Sequence, residues 1–343
     1  MALKFPYRFA VAMYAEDGTS LGTVPAKCDW EPMHEWTRFY FQRRGQLPLA
    51  GNGSASVLPL WEHTMGEPYC RGYRVQIEQA GRQPVASDFP NTYFRDFAST
   101  VASVFVGKKK LKVGEYYSYL VVAHPAPPEA PQAGGLTVTN ASPGVPAQDA
   151  SLASFLPRVK PSGVIDIDDM PVFVPRRVLE EAAERTRAER GTETGGILIG
   201  MLWRDAAAGE IFAEITAQIP CEYASGNNVK LTFTPQTWAA AEAALRLRNR
   251  GEVYLGYWHA HPVFSWKCRD CTPEAQRNCY MAKDFFSADD VAVMRAAFPR
   301  AYSVAIVVND TAFTDLTFSM FGNREGVIQP RGFYVLEGET GGA

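Results

Sequence analysis

The chain has 343 residues, with 34 Lys or Arg against 37 Asp or Glu and a net charge of −3. Hydrophobic residues make up 46%, too many for a disordered chain, and at roughly 100–200 residues per domain two domains are expected. The near balance of charge argues against a general polyanion binder, and no apolar run approaches the ~20 residues of a membrane helix, so neither nucleic acid nor membrane is an expected partner.

The first apolar stretch, FAVAMYA, runs straight into Glu16-Asp17 with no small-residue cleavage site, and reads as a strand rather than a signal peptide. A cytoplasmic location is the expectation that follows, with six cysteines that do not form a disulfide framework.

Residues 1–125 are expected to form a smaller α+β domain. RFAVAMYAE, YRVQIEQA and EYYSYLVVA alternate as strands do, and TYFRDFASTVASVFVG reads as a helix. Trp30, Trp36 and Trp61 read as core residues. Lys108, Lys109, Lys110 and Lys112 read as a solvated turn before a Gly-bounded strand. Residues 126–162 are rich in Pro, Ala and Gly and poor in large apolar side chains, so a linker is expected there.

Residues 163–343 alternate helices and strands. VLEEAAERTRAERG is a helix with Val178, Leu179, Ala182 and Ala183 on its apolar face and Gly191 as a stop signal. GGILIGMLW and IFAEITAQI are strands. TPQTWAAAEAALRLRNRG is a second helix, with Thr234 as N-cap, Pro235 in its first position and Gly251 beyond its end. EVYLGYWHAHP is a strand that ends in histidines, FFSADDVAVM opens a further helix, and AYSVAIVVND, DLTFSMF and GFYVLE complete a mixed sheet. This order predicts an α/β sandwich with helices packed on a curved sheet.

The chemistry concentrates at His259-Ala260-His261. Strand side chains repeat every second residue, so both imidazoles share a face and can bind one metal ion. A third ligand is needed, and an Asp would complete a catalytic zinc site with an open fourth position. Ser287 is a natural N-cap, and Asp289 and Asp290 follow in the first turn, so one of these two carboxylates is the candidate ligand. Glu193 opens ETGGILIG at a helix–strand junction and is the candidate general base.

Glu in E-T-G-G, then H-x-H-P, then S-x-x-D, in that order, resembles the JAMM metalloproteases, the catalytic members of the JAB/MPN family. The resemblance covers roughly Pro171 to Asp310 and extends to VPRRVLEEAAER, GGILIG and LTFTPQTW. It implies a JAB/MPN-type mixed-sheet fold for residues 163–343. It implies His259, His261 and Asp290 as zinc ligands, the S-x-x-D count selecting Asp290. It implies Glu193 as the general base and Ser287 as a residue that helps stabilise the oxyanion. Family members cleave after the C-terminal Gly of ubiquitin or ubiquitin-like proteins, in precursors or conjugates. The expected function is therefore that of a zinc isopeptidase whose partner is a ubiquitin-like modifier, with residues 1–125 recruiting modifier or conjugate. Bacterial members often occur beside activating and conjugating-enzyme homologues, some in antiviral defence.

One departure stands out. Residues 263–286 separate the two ligand motifs, where family members usually have a short run. They hold Cys268, Cys271 and Cys279. C-x-x-C is a zinc half-site, so a second, structural zinc is expected here, with Cys221 able to complete a four-thiolate set. A different fourth ligand or a reduced, metal-free loop are the alternatives. Cys28 and Cys70 have no ligand-like spacing and read as buried thiols. His34, His63 and His124 are scattered and carry no assigned chemistry.

The alternative function is a non-catalytic MPN scaffold, but a scaffold has no need of all five of Glu193, His259, His261, Ser287 and Asp290. A zinc nucleobase deaminase is excluded because His261 stands where its H-x-E signature needs Glu.

Overall fold

The computed structural model describes the chain except residues 1, 52, 64–67, 128–143, 190, 222–232, 264–271, 273–284, 311–314 and 339–343. The chain divides into two compact units. One comprises Met1–Arg38 and Ala50–Gly144, the other Phe39–Leu49 and Val145–Ala343.

The first unit is α+β. Strands β1 (Ala2–Lys4), β4 (Ser54–Glu62), β5 (Tyr69–Glu78) and β6 (Val85–Pro90) form one sheet, in the order β1-β4-β5-β6. Strands β3 (Ser20–Pro25), β2 (Tyr7–Ala15) and β7 (Tyr117–Pro125) form another. Helix α2 (Arg95–Gly107) buries Ala98, Val101, Ala102 and Phe105 against them. The expected strands and helix are therefore present. Trp30 is core and Trp36 packs against it, but Trp61 is exposed, because it lies at the end of β4 beyond a shift in the pairing with β5 between Leu60 and Trp61. Cys70 is buried and Cys28 half-buried, and burial pushes both thiols up to about 12.

The second unit is built on a ten-stranded mixed sheet, in the order β16-β15-β14-β13-β11-β12-β10-β17-β9, with β8 beside the far half of β11. Its strands are β8 (Ala147–Asp149), β9 (Val159–Ser162), β10 (Val172–Pro175), β11 (Gly195–Asp205), β12 (Glu210–Pro220), β13 (Val253–His261), β14 (Val304–Asn309), β15 (Thr317–Arg324), β16 (Val327–Arg331) and β17 (Phe333–Leu336). β16 and β17 lie near opposite ends of this order, yet only Gly332 separates them, so the sheet must curl to bring its ends together.

The central strands are continuously apolar because both faces are covered. Helix α3 (Arg176–Ala188) packs Val178, Leu179 and Ala182 on one face, against Leu198, Leu255, Trp258 and Ile306. Helices α4 (Pro235–Arg248) and α5 (Ala288–Ala297) pack Ala241 and Met294 on the other, against Ile197, Ile199, Tyr257 and Ala305. Thr234 caps α4 as expected, its side chain accepting from the Thr237 N–H. The left-handed residue that ends the helix is Asn249 (φ 45°), two positions before the glycine that marked the stop.

The boundaries differ from those read in the sequence. Residues 39–49 belong to the second unit, because Phe39 joins its core and Leu49 accepts a hydrogen bond from the Val145 N–H at 2.9 Å. Part of the expected linker 126–162 is also structured. β8 pairs with β11, and β9 pairs with β17 over Val159–Ser162. These are short strands held by backbone hydrogen bonds, which polar and proline-containing sequence satisfies at a sheet edge.

Candidate metal centre

β13 is flanked by β11 on one side and β14 on the other. Period-two alternation puts Tyr257, His259 and His261 on the face covered by α5, and Trp258 and Ala260 on the face covered by α3. Antiparallel register sets Gly195 opposite His259 and Gly196 opposite Trp258. The glycine pair thus serves both faces. Gly195 places no side chain beside the imidazole. At Gly196 a Cβ would lie 2.5 Å from Trp258 Nε1 and 2.8 Å from Gln218 Oε1, which hydrogen-bond to each other at 3.1 Å.

The ladder continues one residue beyond β11, where the Ala260 N–H donates to the Thr194 carbonyl at 2.8 Å. Glu193 is the next residue back. Alternation assigns it to the histidine face, across from His261. It is buried, and its charge, with that of Asp290, adds to burial in pushing the Tyr257 hydroxyl far above the ordinary tyrosine range.

Asp290 arrives from the first turn of α5. Ser287 Oγ accepts from the Asp290 N–H at 3.1 Å, and Asp290 Oδ2 accepts from the Ser287 N–H at 2.8 Å, a reciprocal capping box. The Tyr257 hydroxyl donates to the Asp290 backbone carbonyl at 3.2 Å, and its ring stacks on His259 at 5.4 Å.

His259 Nε2 and His261 Nε2 are 2.9 Å apart. Asp290 Oδ1 is 3.3 Å from the first, and Oδ2 is 3.9 Å from the second. Zinc bonds of about 2.0–2.2 Å at tetrahedral angles set neighbouring donor atoms about 3.3 Å apart, so these spacings suit a single ion. Both histidines are buried. Burial, and then the neighbouring His259, push His261 down to about 3 from its ordinary 6.5, against the pull of Asp290. Burial pushes Asp290 upward, but His259 and the Ser287 amide and hydroxyl outweigh it and hold the carboxyl at about 2. Deprotonated His261 and ionised Asp290 are the forms in which these groups ligate a cation. The Phe285 ring stacks on His261 at 4.5 Å and Phe286 lies 6.1 Å from His259, an aromatic wall beside the donors.

Of the expected second metal set, Cys268, Cys271 and Cys279 lie outside the described residues. Cys221 is described and buried. Its N–H donates to the Gly195 carbonyl at 2.9 Å, and burial pushes its thiol up to about 12. Among the functional groups, sequence reasoning missed Tyr257. Its position two residues before His259, on the same strand face, was the signal available.

No protein-family model matches the chain, and no curated protein matches it. Among solved structures it is similar to the solution structure of protein DSY2949 from Desulfitobacterium hafniense, with 19% identity and a TM-score of 0.32 over 49% of this chain and 95% of that one. A likeness of that size carries no argument. Among the described residues no helix is long and apolar enough to cross a membrane.

Proposed function

We propose that the chain is a zinc-dependent peptidase or isopeptidase of the JAMM type, acting after the C-terminal Gly of a ubiquitin-like protein. The observation that carries this reading is the convergence of His259 Nε2, His261 Nε2 and the Asp290 carboxylate within 4.8 Å of one another on a buried face. Two imidazoles and one carboxylate form a donor set suited to zinc. Bound there, the ion would act as a Lewis acid and bring the pKa of water from ~16 toward ~7.

The chain's own groups supply the remainder. Glu193, on the histidine face, takes the proton of the attacking water and delivers it to the leaving amine, a role worth ~10²–10⁴-fold in rate. Ser287 Oγ accepts the Asp290 N–H, so its own proton stays available to donate to the developing oxyanion, worth about 3 kcal/mol. His259 Nδ1 is buried without a hydrogen-bond partner among the described residues, so His259 is oriented by its stacking on Tyr257 rather than by an acceptor behind it. Glycine specificity fits a channel too narrow for a Cβ. The N-terminal α+β unit is then the part that recruits modifier or conjugate.

The test pairs metal analysis of the full chain with cleavage of a ubiquitin-like protein fused through its terminal Gly to a reporter. Zinc bound at His259 and chelator-sensitive cleavage after Gly are expected. Metal-free protein that cannot be loaded would favour the scaffold reading, and a cut beside a bulky residue would sink the substrate assignment.

A further inference from the structure

We propose that Tyr257 is a positioning residue of the metal centre: it holds helix α5, and with it Asp290, in place on the histidine strand, and it sets the ring of His259. The inference rests on His259, His261 and Asp290 binding a metal ion and is independent of the substrate.

The three donors come from two separate elements. His259 and His261 end β13, while Asp290 lies in the first turn of α5. The capping box with Ser287 fixes the Asp290 side chain on its own helix, but it does not fix that helix against the strand. A donor set that must close on one ion needs both.

Tyr257 is buried and touches α5 at its two ends. Its hydroxyl donates to the Asp290 carbonyl at 3.2 Å, in the first turn. Its ring stacks on Phe298, the residue that ends the helix, at 5.7 Å and 18°. A carbonyl has two lone pairs, so the Asp290 oxygen can accept this bond beside its helical one. Contacts at opposite ends of a ten-residue helix resist both sliding and turning, whereas either alone would leave a pivot.

The same ring stacks on His259 at 5.4 Å and 20°, and Phe233 meets it edge-on at 5.5 Å and 84°. Metal-binding imidazoles commonly donate their second N–H to a carboxylate or carbonyl, which fixes the ring. His259 Nδ1 is buried with no hydrogen-bond partner among the described residues, so packing against Tyr257 takes over that task. A phenylalanine at position 257 would keep the stack. The hydroxyl is what joins the helix that carries Asp290 to the strand that carries the imidazoles.

The probes are Zn2+ and Co2+, added to the full chain and read by competition with a chelator, with the visible bands of bound Co2+ reporting donor geometry. Tyr257→Phe keeps the ring and loses the hydroxyl, and should weaken Zn2+ binding ~10-fold, as removal of an outer-shell partner does. Tyr257→Leu loses both contacts and should weaken it ~100-fold and shift the Co2+ bands. Ile199→Val, a control on β11, removes a methyl group from the same apolar cluster. It should lower the melting temperature and leave affinity and bands unchanged. The proposal is overturned if Tyr257→Phe binds Zn2+ as wild type does, or if Ile199→Val loses as much affinity. Should Tyr257→Leu fail to fold, Tyr257→Phe against Ile199→Val decides. A wild-type chain that takes up neither ion overturns the metal reading together with this one. A wild-type chain that binds Zn2+ with an affinity indifferent to Tyr257→Phe removes this inference alone.

Discussion

Ser287 and Asp290 cap each other: the Ser287 hydroxyl accepts from the Asp290 amide at 3.1 Å while the Asp290 carboxylate accepts from the Ser287 amide at 2.8 Å. The S-x-x-D spacing therefore does two jobs with one pair of residues. It starts α5, and it turns Asp290 so that Oδ1 faces His259 at 3.3 Å.

Ser287→Ala should lose both the cap and the orientation of the ligand. We expect a loss of about 1 kcal/mol of stability and metal affinity weakened ~10–100-fold, as when an outer-shell partner is removed. Thermal melts and competition with a chelator measure the two separately. Ser287→Gly is the informative companion, since Gly is tolerated at a cap for a few tenths of a kcal/mol. If Ser287→Gly matches wild type in both metal affinity and cleavage, the hydroxyl has neither role.

Glu193 precedes the first residue paired with β13 by two positions and is not one of the three residues whose ligand atoms lie within 4.8 Å of one another. Glu193→Gln should therefore keep fold and metal while reducing cleavage by ~10²-fold or more, because the amide cannot accept a proton. His259→Ala should lose the metal as well as activity. A Glu193→Gln variant that lost its metal would show that this side chain is a ligand rather than a base.

The metal-free centre has a signed pH dependence. His261 is held at about 3 in the folded protein against an ordinary 6.5, so below pH 6.5 the unfolded chain binds more protons than the folded one. Stability from this group is fully present above pH 6.5 and is lost as pH falls toward 3. Asp290, at about 2 against 3.8, acts in the same direction at lower pH, with its loss falling between 3.8 and 2. Chelator-stripped protein should therefore melt at progressively lower temperature as pH falls from 6.5 toward 4, and His261→Gln should flatten that slope. An unchanged slope in His261→Gln would remove His261 as its source.

The ligand face was legible because it rests on local rules. A strand that ends in H-x-H has both rings on one side whatever packs around it, and S-x-x-D announces a helix start and a carboxylate position together. Helix α1 (Glu31–Arg43) was not read: Met33, Trp36 and Phe39 do recur at helical spacing, but they are interleaved with the polar His34, Glu35, Thr37, Arg38, Gln42 and Arg43, which are buried as well. The charged ones are balanced by partners distant in sequence, such as Glu210 for Arg43 at 2.7 Å, or by close pairs such as Glu35 with Arg38 at 2.5 Å. β8 and β9 escaped for the opposite reason, since edge pairing uses the backbone and leaves side-chain composition free.

Gly196 offers a test of how the two sheet faces are joined under the metal centre. Trp258 Nε1 donates to Gln218 Oε1 at 3.1 Å, and Gln218 Nε2 donates to Glu181 on α3 at 3.3 Å, so a chain of hydrogen bonds runs from the histidine strand to the helix behind it. The indole Nε1 lies within 2.5 Å of where a Cβ on Gly196 would stand, and a methyl there would also meet the Ile219 carbonyl at 2.8 Å. Gly196→Ala should force the indole or the β11–β13 pairing to shift, at about 1–3 kcal/mol, the usual range for overpacking. Because Trp258 adjoins His259 in the chain, metal affinity should fall with it. The double variant Gly196→Ala with Trp258→Phe removes the Nε1 contact and should recover part of the stability, read by thermal melts of the four proteins in the cycle. Strict additivity of the two losses would mean that the indole is not what excludes a side chain at this position.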